Sequence, residues 1–116
     1  MNRDINRIES IIRYCEKIED AVRTFGPDES DFFDNVHFQQ SYAFSLSWMW
    51  ENVKALSSDL KTKYSEAAWK GAARLRDVIS HKYDSIELYI IWETIKDDVP
   101  VLKKECESIL TELRSE

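Results

Sequence analysis

Two glycines and two prolines in 116 residues leave this chain few places to turn. Strand-rich folds reverse direction often, and their turns draw heavily on those residue types. Scarcity of both predicts a few long elements, which here means helices. The length suits one compact domain with a sizeable core, and a single domain over residues 1–116 is the expectation.

Apolar spacing supports the helical reading. Ile5, Ile8, Ile12, Cys15, Ile18, Val22 and Phe25 recur at three- and four-residue steps, one face of a first helix over residues 3–25. Gly26-Pro27 ends it, since Gly accepts a left-handed cap and Pro cannot continue a helix. Asp28-Glu29-Ser30-Asp31 starts a short turn with Phe32, Phe33 and Val36. Tyr42, Leu46, Met49, Val53, Leu56 and Leu60 then mark a long second helix, from about 35 to 61, with Trp48 off its stripe, either directed to a second surface or an ordinary exposed aromatic. Ser65 caps a third helix that turns Ala68, Ala72, Leu75 and Ile79 inward, and Asp84-Ser-Ile-Glu87 has the capping-box pattern for a fourth, roughly 85 to 96. That helix is apolar nearly all round, which predicts burial or a subunit interface carrying Ile91 and Trp92. Asp97, Asp98 and Pro100 mark a last start, followed by Val99, Leu102, Cys106, Ile109 and Leu113. The expected fold is all-α, an up-and-down bundle of about five helices.

No apolar run approaches the roughly 18 residues a membrane span needs, and the amino-terminal residues read as an amphipathic helix rather than a signal sequence. The expectation is a cytoplasmic protein with no membrane partner. Cys15 and Cys106 both fall on apolar stripes, as reduced core residues do. His37 has no ligand-type neighbours, and no zinc motif or phosphate-binding glycine loop occurs, so neither a metal nor a cofactor is expected.

Charge is uneven. The chain is −6 overall, which argues against broad non-specific nucleic-acid binding. Residues 61–82, however, hold Lys61, Lys63, Lys70, Arg74, Arg76 and Lys82 against Glu66 and Asp77, a net +4 that leaves −10 for the rest. This is either a solvated helix face or a local anion site.

Within that island lies Arg76-Asp-Val-Ile-Ser-His81-Lys-Tyr83. Five residues of straight helix rotate about 500°, so Arg76 and His81 stand roughly 140° apart. They converge if the helix ends near Ser80, or if two chains pool residues across a two-fold axis. Arg76 and Tyr83, seven apart, align if the helix persists. Trp69, Ala73, Arg76 and Ser80 form a second stripe, small enough for close approach of a partner. Taken alone, the pattern also suits a helix C-terminus where Arg and His satisfy carbonyls.

The run Trp69 to Ile86, then Ile91-Trp92-Glu93, then Asp98-Val-Pro-Val-Leu102, resembles the HepT-like family of the HEPN superfamily, and the likeness covers nearly the whole chain. The resemblance implies a helical-bundle homodimer acting as the metal-independent RNase toxin of a toxin–antitoxin pair. The implied antitoxin partner is a minimal nucleotidyltransferase, which attaches AMP to the motif tyrosine and silences the toxin. Carried across by position, Arg76 and His81 are catalytic and Tyr83 is the modification or substrate-positioning residue. Asp77, Lys82 and Glu51 are supporting candidates. Asp77 stands where family members often have Asn, and Trp50-Glu51 where they often have Gly-Glu. Two other functions compete: a non-catalytic adaptor, or substrate-binding subunit, for a nucleotidyltransferase, and a plain dimeric helical scaffold.

Overall fold

The structure, a computed structural model, describes residues 2–64, 69 and 88–116. They form an all-helical bundle. Helix α1 (Asn2–Phe25) is followed by α2 (Glu29–Phe33), α3 (Val36–Ala55), α4 (Ser58–Lys63), α5 (Leu88–Glu93), a π-helical stretch (Thr94–Asp98) and α6 (Val99–Arg114). The expected third helix with Ser65, Ala68, Ala72, Leu75 and Ile79, and the capping box at Asp84–Glu87, lie outside the described residues.

Helix α1 is the centre of the bundle, with α3 and α6 packed against it. Both neighbours run antiparallel to it. Phe25 stacks on Phe38 at one end while Arg7 reaches Asn52 near the other, and Glu19 pairs with Lys103 while Glu9 pairs with Arg114. Two neighbours widen the buried arc of α1. Its fully buried residues are Ile8, Ile11, Cys15 and Ile18, with Ala21 beside them; Ile5, Ile12, Val22 and Phe25 pack at the edges. Ile11 therefore takes the central place that spacing assigns to Ile12.

Gly26 closes α1 as expected, with φ +122° and its N–H donating to Val22 O at 2.8 Å. A side chain there would also collide with the carboxylate of Asp31. That carboxylate accepts the Asp28 N–H at 3.0 Å and starts α2. Asn35 caps α3, its Oδ1 accepting from the N–H groups of His37 and Phe38.

The stripe expected on one helix over 35–61 is buried as predicted, yet it spans two helices. Leu56 turns extended at ψ 146°, and Ser57 begins α4. The cause is a tertiary clasp. Asp4 of α1, itself buried, accepts from Ser57 N–H at 2.9 Å and from Ser57 Oγ–H at 2.7 Å, while that Oγ accepts from Leu60 N–H at 3.2 Å. Ser57 thus caps α4 and ties it to α1 at once.

An aromatic cluster fills the far end. Phe32 stacks on Trp92 with centroids 5.6 Å apart, and meets Phe38 and Tyr42 edge-on. Ile91 and Trp92 are buried in this cluster and core, at 1% and 4% exposure, so they are not the outward residues that an interface would need; Tyr89 and Ile90 face outward instead. The restart expected at Asp97-Asp98 is also absent, because α5 runs through the π-helical stretch into α6. Pro100 has no N–H to donate and its ring crowds the preceding turn. A wider turn, with Val99 N–H donating to Thr94 O, accommodates it. Thr94 Oγ–H donates to Ile91 O at 2.6 Å, leaving Thr94 Oγ1 to accept from the buried Tyr42 hydroxyl at 2.5 Å.

Both cysteines are free and buried. Burial pushes the Cys15 thiol up to about 12 and raises Cys106 as well. Among the described residues, no helix is long and apolar enough to cross a membrane.

Candidate functional site

Arg76, Asp77, His81, Lys82 and Tyr83 all lie outside the described residues; the bundle fixes the two ends of the stretch that contains them. On one side, Tyr64 donates its hydroxyl to Glu112, and Lys63 pairs with Glu116 at 3.0 Å, tying the end of α4 to the end of α6. On the other, Leu88 packs against the core at the start of α5. The partner carboxylates raise both Lys63 and Tyr64 above their ordinary values, chiefly through the hydrogen bonds that Lys63 donates to Glu116 and Tyr64 donates to Glu112. Two lysines of the basic island are thus already engaged: Lys63 by Glu116, and Lys61 by the carbonyl of Lys54 at 3.1 Å.

Trp69, seven positions before Arg76, is half-buried and packs against the core. Its Nε1–H is buried without a hydrogen-bond acceptor. Leaving a buried donor unpaired costs roughly 1–3 kcal/mol, so the position favours the indole's bulk rather than its polarity.

Glu51, the supporting acid suggested by resemblance, is exposed on α3 and ion-paired with Lys54 at 3.1 Å. Trp50 beside it is half-buried and packs on the core, so the residue that stands in place of a small one helps hold α3 in the bundle. His37 is exposed, as an incidental polar residue should be.

The structure also assembles residues that no motif marked. Arg7 Nη1 donates to Asn52 Oδ1 at 3.5 Å, and Asn52 Nδ2 donates to the Trp48 carbonyl at 2.8 Å. Asn52 is buried, whereas Trp48 is 49% exposed and Phe44 beside it 58%. The exposure of Trp48 suits both readings of it, a second surface and an ordinary exposed aromatic. The sequence signal was an i, i+4 pair of arginines, Arg3 and Arg7, on the polar side of α1; the α3 partner was invisible because it lies 45 positions away.

The sequence matches the ribonuclease HepT-like family over residues 11–109, which includes the Arg76–Tyr83 motif. The chain belongs to the HepT-like ribonuclease family. Among curated relatives of this HepT-like chain, a protein of Caldanaerobacter subterraneus subsp. tengcongensis, provisionally named an RNase, is 33% identical over 89% of this chain and 90% of its own length. "Probable ribonuclease HepT" of Thermococcus cleftensis is 29% identical over 88% and 91%. A Methanocaldococcus jannaschii protein, named jointly as a gamma-glutamylcyclotransferase and provisional RNase, is 31% identical over 97% of this chain. The chain spans only half the length of that last relative. No solved structure gives a significant match.

Proposed function

We propose that this HepT-like chain is a metal-independent endoribonuclease in which Arg76 and His81 cleave RNA at a site completed by a homodimer. The observation that carries the reading is the Arg-x-x-x-x-His-x-Tyr motif, in order and spacing, within a family match that runs across it. RNA carries its own nucleophile. A neutral His81 takes the proton from a 2'-hydroxyl, the resulting oxygen attacks the adjacent phosphorus, and the bond to the 5'-oxygen breaks. A protonated His81 of the partner subunit gives its proton to that leaving oxygen. The products are a 2',3'-cyclic phosphate and a 5'-hydroxyl. Arg76 offers a planar, permanently charged fork to the phosphate oxygens as negative charge builds on them. One histidine cannot be acid and base in the same step, which is why the site needs two chains.

Tyr83, two residues on, is the regulatory group. Its phenol, losing its proton, attacks the α-phosphorus of ATP held by a minimal nucleotidyltransferase partner. The α–β phosphoanhydride breaks, pyrophosphate leaves, and the AMP on Tyr83 places a bulky anion over Arg76 and His81, excluding RNA by size and charge. The pair forms a toxin–antitoxin system, with Asp77 and Lys82 tuning the charge around Arg76, and Glu51 able to join them only on leaving its ion pair with Lys54.

RNA cleavage by the purified protein in EDTA, beside Arg76→Ala and His81→Ala at matched folding, tests this. Wild type should cleave, and each substitution should lower the rate by at least about 100-fold, the usual worth of a general acid–base group for His81 and of one preorganised charge-stabilising donor for Arg76. Failure of wild type to cleave, with intact mass confirming an unmodified Tyr83, would instead support the adaptor reading, which the overall charge of −6 favours.

A further inference from the structure

We infer that the seam between α1 and α3 is a track for single-stranded RNA, on which arginines of α1 hold phosphates and the exposed aromatics of α3 stack bases. The inference rests on the ribonuclease reading and adds to it where substrate outside the cleavage motif is gripped. Arg3, Asn6, Arg7 and Ser10 recur at i, i+3, i+4 and i+7 and line a shallow groove of about 330 Å³ with no carboxylate in its wall. Arg13 extends the row by donating to Ser10 Oγ at 2.9 Å. Among the described residues, no acid pairs with Arg3, Arg7 or Arg13. Three nearby carboxylates are committed elsewhere: Asp4 to Ser57, Glu9 to Arg114 and Glu51 to Lys54. Arg3, Arg7 and Arg13 are exposed and open to an external anion.

The aromatic side of the track starts where α3 meets Arg7. Asn52 accepts from Arg7 at 3.5 Å, and Trp48 and Phe44 follow it at successive one-turn steps along α3. Phe44 and Trp48 lie one helical turn apart, with ring centroids separated by 6.5 Å, and both are about half exposed. Guanidinium forks beside open aromatic faces are the means by which proteins hold unpaired nucleic acid, the phosphates by charge and the bases by stacking. Charge selects the occupant. A polyanion complements the row, whereas a second copy seated here on a two-fold axis would set arginine against arginine.

The test is fluorescence anisotropy with a short, labelled 2'-O-methyl oligouridylate, which lacks the free hydroxyl that cleavage needs. Wild type, Arg3→Ala, Arg7→Ala, Trp48→Ala and a distant charge control, Lys104→Glu, are titrated over a salt series, and each is also assayed for cleavage of unmodified RNA. Each arginine variant should bind more weakly and flatten the slope of log affinity against log salt by about 0.7, the share of one phosphate contact on a single strand. Trp48→Ala should weaken binding roughly 5- to 100-fold while leaving that slope unchanged. Lys104→Glu should match wild type. The inference is overturned if wild type binds and cleaves while the arginine variants do so equally well. It is also overturned if Trp48→Ala dissociates a dimer in light scattering yet keeps full RNA affinity, because the seam would then join two copies. A wild type that binds but does not cleave keeps the track and removes the nuclease reading; one that does neither removes both.

Discussion

Helix α3 carries two aromatic pairs at the same i, i+4 spacing, and they have opposite fates. Phe38 and Tyr42 are fully buried, while Phe44 and Trp48 stand 58% and 49% exposed. Six positions separate the pairs, about 600° of rotation, which places them roughly 120° apart around the helix. The buried pair is saturated. Phe38 meets Phe25, Phe32 and Trp92, and the Tyr42 hydroxyl is satisfied by Thr94. The exposed pair meets edge-on at 6.5 Å between ring centroids and lies one and two helical turns from Asn52, the residue that accepts from Arg7. The first pair holds the fold together and the second is open to a ligand, so residue type alone does not distinguish stability from function. The neighbours do.

That contrast can be broken most forcefully at Phe32, which joins the buried pair to Trp92. Phe32→Ala should cost about 3–5 kcal/mol in urea unfolding, the range for removing a packed core aromatic. A loss under about 1 kcal/mol would mean the cluster is loosely packed.

A smaller effect sharpens the chemistry of the buried side. The Cys15 thiol is held at about 12 in the fold against 9.0 as its ordinary value. The unfolded chain therefore gives up this proton first as pH rises, and the bound proton favours the folded state less and less. The thiol's contribution is complete below pH 9 and declines by about 1.4 kcal/mol per unit between 9 and 12. Cys106 acts with the same sign, since burial raises it too. Urea midpoints measured over this range should fall less steeply for Cys15→Ala than for wild type. Parallel lines would place the thiol in contact with water.

The smallest effect belongs to the open side. Phe44→Ala should change stability by no more than about 0.5 kcal/mol, as an exposed position does. A core-sized loss would show that Phe44 is covered in solution.

Much of this fold is legible in the sequence, because the signals are local. Gly26-Pro27 and the Val99–Leu113 stripe each mark an element within a few neighbouring residues, and the stripe through Tyr42 and Leu60 marks a buried face, though not the helix break within it. The features that sequence does not reveal are set by distant partners. The break at Leu56–Ser57 needs Asp4, 53 positions from Ser57. Burial of Ile11 depends on α3 and α6 both flanking α1, and Trp92 turns inward because Phe32 offers it a stacking face. The same division holds for the proposed site residues. Arg76, His81 and Tyr83 announce themselves as a contiguous motif, whereas Arg7 meets α3 through Asn52, 45 positions away.

The most direct measurement on the central claim is the chemistry of the RNA ends. If His81 and Arg76 cleave through the substrate's own 2'-hydroxyl, mass spectrometry of the fragments formed in EDTA will find 2',3'-cyclic phosphate, or the phosphate from its opening, opposite a 5'-hydroxyl. Fragments ending in a 5'-phosphate and a free 3'-hydroxyl would require water to attack from the other side, and would contradict the account.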